Sequence, residues 1–251
     1  MTFRVKKFSI GILVLIISWM VWVGKGKERF TVIDTRGGVK ISSFDPVSKS
    51  GFEMRLPDNM EIPGADDRGM WKASKIGQAG DSAWAAQSVA NYLGITYTKD
   101  NRYIWWWDRL RLKWEKIDME RRGWTEETKA VDGEPVTYLS ETWKMAAREM
   151  FASEIISQGG WTVGVINSSG ETGLAAKTAD RIESMGVRVS EVKTGQESEN
   201  GCRVESQNKN KREMVVKIMV TNWKCIWREN AQLGEKELLL FLGLSFGSRE
   251  R

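Results

Sequence analysis

Residues 161–189 read WTVGVINSSGETGLAAKTADRIESMGVRV, and they define the fold class of the C-terminal part of the chain. The apolar start, 161–166, predicts a strand, and the polar, glycine-containing segment 167–173 predicts a loop. Residues 174–185 have the apolar spacing of an amphipathic helix that a glycine ends, and 187–192 predicts a second strand. The stretch therefore predicts a strand–loop–helix–strand unit.

The same alternation continues toward the C-terminus. Further strands are predicted at 202–205, 225–227 and 238–242, with a helix at 213–223. Strands that alternate with helices predict a small two-layer α/β domain. A helix that Ser140 caps, and that Gly159 and Gly160 stop, is predicted to lead into this domain, which we place at 140–247.

The segment 30–122 is also predicted to be mixed α/β structure. Alternation over 30–47, interrupted by turn residues at 34–38, predicts a β-hairpin. The polar, acidic segment 123–139 predicts a linker. The remaining predicted elements are a strand and loop at 53–63, a helix at 81–94 that ends at Gly94, and a further helix or strand at 103–114.

Residues 8–23, FSIGILVLIISWMVWV, contain no charged side chain. As a helix they span about 24 Å, and flanking lysines can extend toward both surfaces of a hydrocarbon core of roughly 30 Å. A cleaved signal peptide is the alternative, but no pair of small residues at alternating positions comes after the apolar stretch. We predict a single transmembrane anchor in the cell membrane, with residues 1–7 in the cytoplasm and the body outside it.

The composition excludes several kinds of site. The chain has 251 residues, a formal net charge of +5, no histidine and 2 cysteines. Absence of histidine removes the usual general base and the commonest zinc ligand. Basic residues are interleaved with acidic ones and form no basic face, so we predict no nucleic-acid partner.

Residues 163–180, VGVINSSGETGLAAKTAD, resemble the opening of the C-terminal domain of LytR-CpsA-Psr proteins. That family typically reads V-x-V-L-N-G-x-x-x-x-G-L-A-x-x-x-A there. MGVRV at 185–189 is similar to the usual helix end and second strand, and LLLFLG at 238–243, together with Phe246, resembles the closing strand. The resemblance covers about 161–247 and implies a bacterial cell-envelope protein.

A fainter resemblance, to the catalytic domain of the same family, lies within 30–122. LPDNMEIPG at 56–64 resembles a family strand that reads I-P-R-D-T-x-V-x-I-P-G, and residues 75–95 resemble the turn and helix that come after that strand in the family. The family's Arg between Pro and Asp is missing, and nothing here matches its later Arg- and Asp-bearing segments. Members of the family transfer a polymer from a lipid pyrophosphate carrier to the cell wall, using arginines to hold the pyrophosphate and acidic residues to hold a metal. Because this set of residues is incomplete here, the resemblance implies a degenerate or truncated relative.

The loop at 167–173 is the predicted binding surface, through Asn167, Ser168, Ser169, Gly170 and Gly173. It joins a strand end to a helix N-terminus, where backbone N–H groups and the helix dipole favour an anion. In the alternative, purely structural interpretation, the two glycines form tight turns and Asn167 caps the bend.

Cys202 and Cys225 are predicted to lie on neighbouring strands. Outside the cytoplasm they can form a disulfide. Two buried free thiols are the alternative, because free cysteine is common in protein cores.

Arg55 and Asp58 are the candidate catalytic residues. Asp58, Asp66 and Asp67 are the candidate oxygen ligands for a divalent cation, although a charged, turn-rich loop also collects carboxylates by chance. The tryptophans at 105–107 can stack on sugar rings or lie at the membrane surface, and core packing is the alternative.

These observations favour a non-catalytic binding or assembly module of the cell envelope that uses no cofactor. Its predicted partners are membrane lipid, through 8–23, and a cell-wall glycopolymer or another envelope protein. One alternative is a diverged phosphotransferase that attaches glycopolymer from a lipid-pyrophosphate carrier, with Mg²⁺ as cofactor and with Arg55 and Asp58 in its site. A second alternative is a scaffold that assembles through the aromatic run.

Overall fold

Two separate hydrophobic cores organise the computed structural model, which describes residues 29–98, 113–130, 133–196 and 200–246. The first core extends along the chain from Val39 to Phe151. The second extends from Ile156 to Phe246. The protein is therefore mixed α/β, as its sequence predicts.

A four-stranded sheet lies in the N-terminal core. Its strands are β1 Phe30–Asp34, β2 Lys40–Asp45, β3 Ser50–Arg55 and β6 Lys113–Asp118, in the order β1-β2-β3-β6. Strand β2 is antiparallel to both β1 and β3, and β6 is parallel to β3. The predicted hairpin is confirmed, because Asp34 accepts a hydrogen bond from the backbone of Arg36 and the next two residues are glycines with positive φ.

The principal helix of this core is α2, Ser82–Leu93, at the predicted position. Asp81 caps it by accepting a hydrogen bond from the backbone N–H of Trp84 at 2.7 Å. Gly94 ends it in the left-handed conformation, with φ of 65°. Around it lie a two-stranded ribbon, β4 Glu61–Pro63 with β5 Met70–Lys72, a 3₁₀ turn at Ala65–Asp67, and α1 Ile76–Ala79.

The predicted linker at 123–139 is wrong, because this segment contains an antiparallel hairpin. Its strands are β7 Thr125–Lys129 and β8 Pro135–Leu139. The segment has the composition of a linker because β7 is largely exposed. Val136 of β8 is fully buried, and the hydroxyl of Thr137 donates to the side chain of Asn59 at 3.0 Å. These contacts attach the hairpin to the N-terminal core.

The helix predicted to lead into the C-terminal domain packs instead in the N-terminal core. This helix is α3, Trp143–Phe151. The indole N–H of Trp143 donates to the carbonyl of Leu93 at 2.8 Å, and the ring of Phe151 lies 5.1 Å from that of Phe52. Ser140 does not cap it, because its hydroxyl donates to the carbonyl of Gly123. A short helix α4, Glu154–Ser157, comes next, so the domain boundary lies after residue 151 and not at 140.

The C-terminal domain contains a five-stranded sheet. Its strands are β9 Thr162–Asn167, β10 Arg188–Thr194, β11 Cys202–Ser206, β12 Ile226–Glu229 and β13 Glu237–Leu242, in the order β10-β9-β13-β11-β12. Strand β9 is parallel to both of its neighbours, whereas β11 is antiparallel to β13 and parallel to β12. The other elements are α5 Leu174–Ser184, a 3₁₀ turn at Asn208–Arg212 and α6 Met214–Thr221.

One face of this sheet carries the second core. Alternate residues of the central strands, such as Val163, Val165, Leu238 and Leu240, are at most 1% exposed. Buried apolar residues from both helices, such as Ile182 of α5 and Met219 of α6, belong to the same cluster, so the two helices cover the same face. This arrangement is the predicted two-layer α/β domain.

In the ranges that the structure describes, no helix is long and apolar enough to cross a membrane. The anchor predicted at 8–23 lies outside those ranges. So do the tryptophans at 105–107 and most of the element predicted at 103–114, whose last two residues begin β6.

Candidate functional site

A cleft of about 530 Å³ lies where the two cores meet. The C-terminal end of α2, the first two turns of α3 and the N-terminal half of α5 all contribute to its wall. The cleft therefore uses residues that are far apart in sequence, and neither half of the chain forms it alone.

One wall of the cleft is apolar. Tyr92, Leu93, Leu139 and Trp143 all line it. The hydroxyl of Tyr92 accepts a hydrogen bond from the backbone N–H of Leu139 at 3.2 Å, and burial raises the pKa of this tyrosine. Trp143 is only 2% exposed, so its ring supports the wall and is not free to stack on a ligand.

The rim of the cleft is charged, and most of its charges are paired across the two domains. Lys144 of α3 lies 2.7 Å from a carboxylate oxygen of Asp180 on α5. Arg148 lies 3.7 Å from the same carboxylate and also contacts Glu183. Lys177 lines the cleft with an exposed side chain, and it forms no ion pair with another residue in the described ranges. Lys177 is therefore the cation best placed to meet an anionic ligand.

A buried arginine joins the domains behind the rim. Arg181 is 4% exposed, and its guanidinium donates to the side chain of Asn91 at 3.3 Å. The same guanidinium lies 5.1 Å from the ring centroid of Trp223. These contacts link α2 of the first core to α5 and to Trp223, just after α6, in the second.

The loop predicted as the binding surface uses its polar groups internally. The side-chain oxygen of Asn167 accepts from the backbone N–H and the hydroxyl of Ser169, at 3.1 and 2.6 Å, and its amide donates to the carbonyl of Glu171 at 2.7 Å. Ser168 is buried as well. Gly170 and Gly173 have φ of 73° and 84°, which tight turns require. This geometry favours the structural interpretation, and within the loop only Glu171 lines the cleft.

Arg55 and Asp58 form an exposed ion pair of 3.1 Å, each side chain being 63% exposed. Arg55 also donates to the carbonyl of Gly37. The pair lines a second cavity of about 330 Å³, together with Asp118 and Glu120.

The candidate metal ligands are not gathered around a common point. Asp66 is exposed in a 3₁₀ turn, and the side chain of Asp67 lies outside the described part of the structure. Asp58 pairs with Arg55. Within the described ranges, no group of three His, Cys, Asp or Glu side chains is arranged to hold a metal ion.

Cys202 and Cys225 are joined by a disulfide whose Cα atoms are 4.4 Å apart. The bridge connects the first residue of β11 to the residue before β12. It therefore closes the part of the chain that contains α6.

Residues 161–220 match the family model LytR_C, described as the LytR cell envelope-related transcriptional attenuator. Over these residues the predicted LytR C-terminal domain is confirmed. The match covers the strand–loop–helix–strand unit and continues into α6, and its description supports a role in the cell envelope.

Three solved Bacillus subtilis proteins are similar at low identity. TagV is 13% identical, with 50% of this chain and 57% of TagV covered and a TM-score of 0.26. TagU is 14% identical, with 70% and 87% covered and a TM-score of 0.26. The LytR-CPS2A-psr family protein TagT, with bound octaprenyl pyrophosphate lipid, is 13% identical, with 79% and 92% covered and a TM-score of 0.27. This chain thus spans little more than half the length of TagV, and no curated protein sequence matches it.

Lys144, Arg148 and Lys177 were not among the sequence candidates. They lie on two helices that belong to different cores, and no local pattern indicates that α3 and α5 meet. The only signal in the sequence was the polar face of each amphipathic helix, which solvent explains equally well.

Proposed function

We propose that this protein is a non-catalytic cell-envelope protein that binds an anionic glycopolymer of the cell wall in the cleft between its two domains. In this proposal residues 8–23 anchor it in the membrane with its body outside the cytoplasm. The segment 30–122 is a degenerate LytR-CpsA-Psr-like region. The match of residues 161–220 to the LytR_C family carries the envelope assignment.

The chemistry of the cleft supports an anionic ligand with apolar surfaces. Lys177 offers an unpaired ammonium group within the described structure, beside an apolar wall that includes Tyr92 and Leu139. A polymer of sugar and phosphate units offers both kinds of contact, since sugar rings have apolar faces and phosphate accepts charge-assisted hydrogen bonds. TagT has been solved with bound octaprenyl pyrophosphate lipid and, separately, with bound LIIa-WTA.

A charge reversal in the cleft tests the proposal. Lys177→Glu, in the detergent-solubilised full chain, is expected to weaken binding of phosphate-containing wall polymer by about tenfold or more, because a hydrogen bond to a charged group contributes roughly 1.5–3 kcal/mol. Lys217→Glu is the matched control, since Lys217 is an exposed helical lysine on α6 and does not line the cleft. Equal affinities of the two variants would exclude the cleft as the binding site.

One observation favours the transferase alternative. The cavity at Arg55 and Asp58 also contains Asp118, which lies opposite Arg55 in the parallel register of β3 and β6. An active enzyme would transfer glycan from a lipid-pyrophosphate carrier in the presence of Mg²⁺. Detectable transfer that Arg55→Ala and Asp58→Ala both abolish, in variants that remain folded, would replace the non-catalytic proposal.

A further inference from the structure

Arg29, the first described residue, is held firmly against the connection between the two domains. Its Nε donates to the carbonyl of Ala152 at 2.8 Å, and its Nη1 donates to the hydroxyl of Ser43 at 3.2 Å. Its side chain is 9% exposed and forms an ion pair of 3.5 Å with Asp45. The chain therefore enters the folded body at a fixed place.

Asp45, the ion-pair partner of Arg29, also contacts two further segments. One of its carboxylate oxygens accepts from the backbone N–H of Glu154 at 2.8 Å, at the start of α4. The other accepts from the backbone N–H of Val47 at 2.8 Å, in the turn between β2 and β3. The start of β1, the β2–β3 turn and the interdomain connection therefore lie at one end of the molecule.

The N-terminal ends of the three parallel strands β9, β10 and β13 lie at the same end of the molecule. The backbone N–H of Ser153 donates to the carbonyl of Met185, close to the start of β10. Trp161 accepts a hydrogen bond from the backbone N–H of Arg188, and Lys236 accepts one from the residue that begins β9. We call this end, comprising 45–49, 152–161, 185–188 and 236, the junction end.

The predicted anchor places the junction end close to a bilayer. Only five residues, 24–28, separate Val23 from Arg29. Fully extended, this connection reaches at most about 22 Å. Since Arg29 is fixed by its contacts with Ala152 and Asp45, this part of the junction end stays within that reach of the point where the anchor leaves the membrane.

The exposed side chains of the junction end suit a layer of lipid headgroups. Val47 is 42% exposed, and Lys49, Arg188 and Lys236 are exposed as well. Long cationic side chains reach lipid phosphates readily, and an exposed apolar tip tolerates the interface. We propose that the junction end docks on the surface of the bilayer that holds the chain's own anchor, an inference that rests on the anchor in the proposed function.

Lysine footprinting of the full chain tests this docking. The protein is reconstituted in phosphatidylglycerol nanodiscs or kept in detergent micelles, and treatment with an uncharged acetylating reagent is followed by peptide mass spectrometry. Lys49 and Lys236 should react about fivefold more slowly in nanodiscs, which corresponds to roughly 1 kcal/mol per basic residue at an anionic surface. Lys224 is the control, because it is exposed and precedes β12 at the opposite end of the same sheet.

The outcomes separate the inference from the proposed function. Slower reaction of Lys49 and Lys236, but not of Lys224, supports docking, and Arg188→Glu combined with Lys236→Glu should then restore the reactivity of Lys49. Equal reactivity of all three lysines in protein recovered with the discs overturns docking and leaves the anchor intact. Protein that fails to enter the discs overturns the anchor itself.

Discussion

Asp45 is a carboxylate without exposed surface, and it lies between segments that are more than 100 residues apart. Its sequence context, SFDPVSK, suggests an ordinary turn residue, since aspartate before proline is common in turns. The structure shows the turn contact with Val47 and, in addition, a buried ion pair with Arg29 and a bond to Glu154. Local sequence could indicate only the first of these roles.

Replacing Asp45 should destabilise the protein strongly. Asp45→Ala leaves the Arg29 guanidinium buried without its carboxylate, and removing one partner of a buried pair costs about 3–5 kcal/mol. Urea denaturation at neutral pH measures the change in the free energy of unfolding. Asp34→Ala is the control, because its partner Arg36 is 87% exposed and such surface pairs contribute about 1 kcal/mol or less. If Asp45→Ala and Asp34→Ala lowered the free energy of unfolding by similarly small amounts, the contacts of Asp45 would not hold the junction end rigidly.

Elements with strong local signals appear where the sequence predicts them. Helix α2 has an aspartate cap and a terminating glycine, and hairpin β1–β2 has a turn that needs glycine. The hairpin at 125–139 was misassigned because strand β7 alternates little and carries charged side chains on an exposed surface. Strand β7 can be recognised only from its pairing with β8, and a linker prediction based on composition does not consider pairing.

The short helix α1 packs so closely on hairpin β1–β2 that one position admits only glycine. A Cβ atom on Gly77 would lie 2.1 Å from the backbone carbonyl oxygen of Thr35. Gly77→Ala should therefore lower the free energy of unfolding by about 1–3 kcal/mol, the usual range for overpacking. Gln78→Ala is the control in the same helix, because Gln78 is exposed. Thermal or urea unfolding measures the stability of both variants. If Gly77→Ala left the free energy of unfolding unchanged, α1 could move away from the hairpin without loss of stability.

The disulfide connects the start of β11 to the residue before β12, around α6. Cys202 and Cys225 are 23 residues apart, and cross-linking such a loop stabilises by about 3 kcal/mol on the chain-entropy model. Cys202→Ala combined with Cys225→Ala should lower the stability of the C-terminal domain by this order, as measured by urea denaturation. Peptide mapping of native membrane material with and without reductant tests the bond itself. Free thiols alone in that material would contradict the bond and would weaken the case for the external placement.

At the scale of the whole molecule, the boundary between the two cores lies after residue 151, whereas the sequence predicts it at residue 140. Trp143 and Phe151 are amphipathic-helix residues that either domain could bury, and they are 2% and 4% exposed within the first core. Periodicity identifies the apolar face of a helix but not the surface that covers it. Domain assignment therefore required the tertiary structure.

Fragments that begin on either side of α3 test this division. A fragment of residues 152–251 should fold as a monomer, because the second core starts at Ile156. A fragment of residues 140–251 carries α3 without its partners and should self-associate through the exposed Trp143 and Phe151. Size-exclusion chromatography and near-ultraviolet circular dichroism measure both properties. A better-folded, monomeric 140–251 fragment would restore the boundary at 140.

The sequence alone determined the alternation of strands and helices, the two-layer C-terminal domain and its LytR C-terminal resemblance. These features depend on periodicity, caps and turn residues, which are local. Tertiary structure alone decided that α3 joins the first core, that 125–139 is a paired hairpin, and that Lys144, Arg148 and Lys177 meet at one cleft. These features depend on contacts between distant segments, and each local pattern is compatible with more than one such partner.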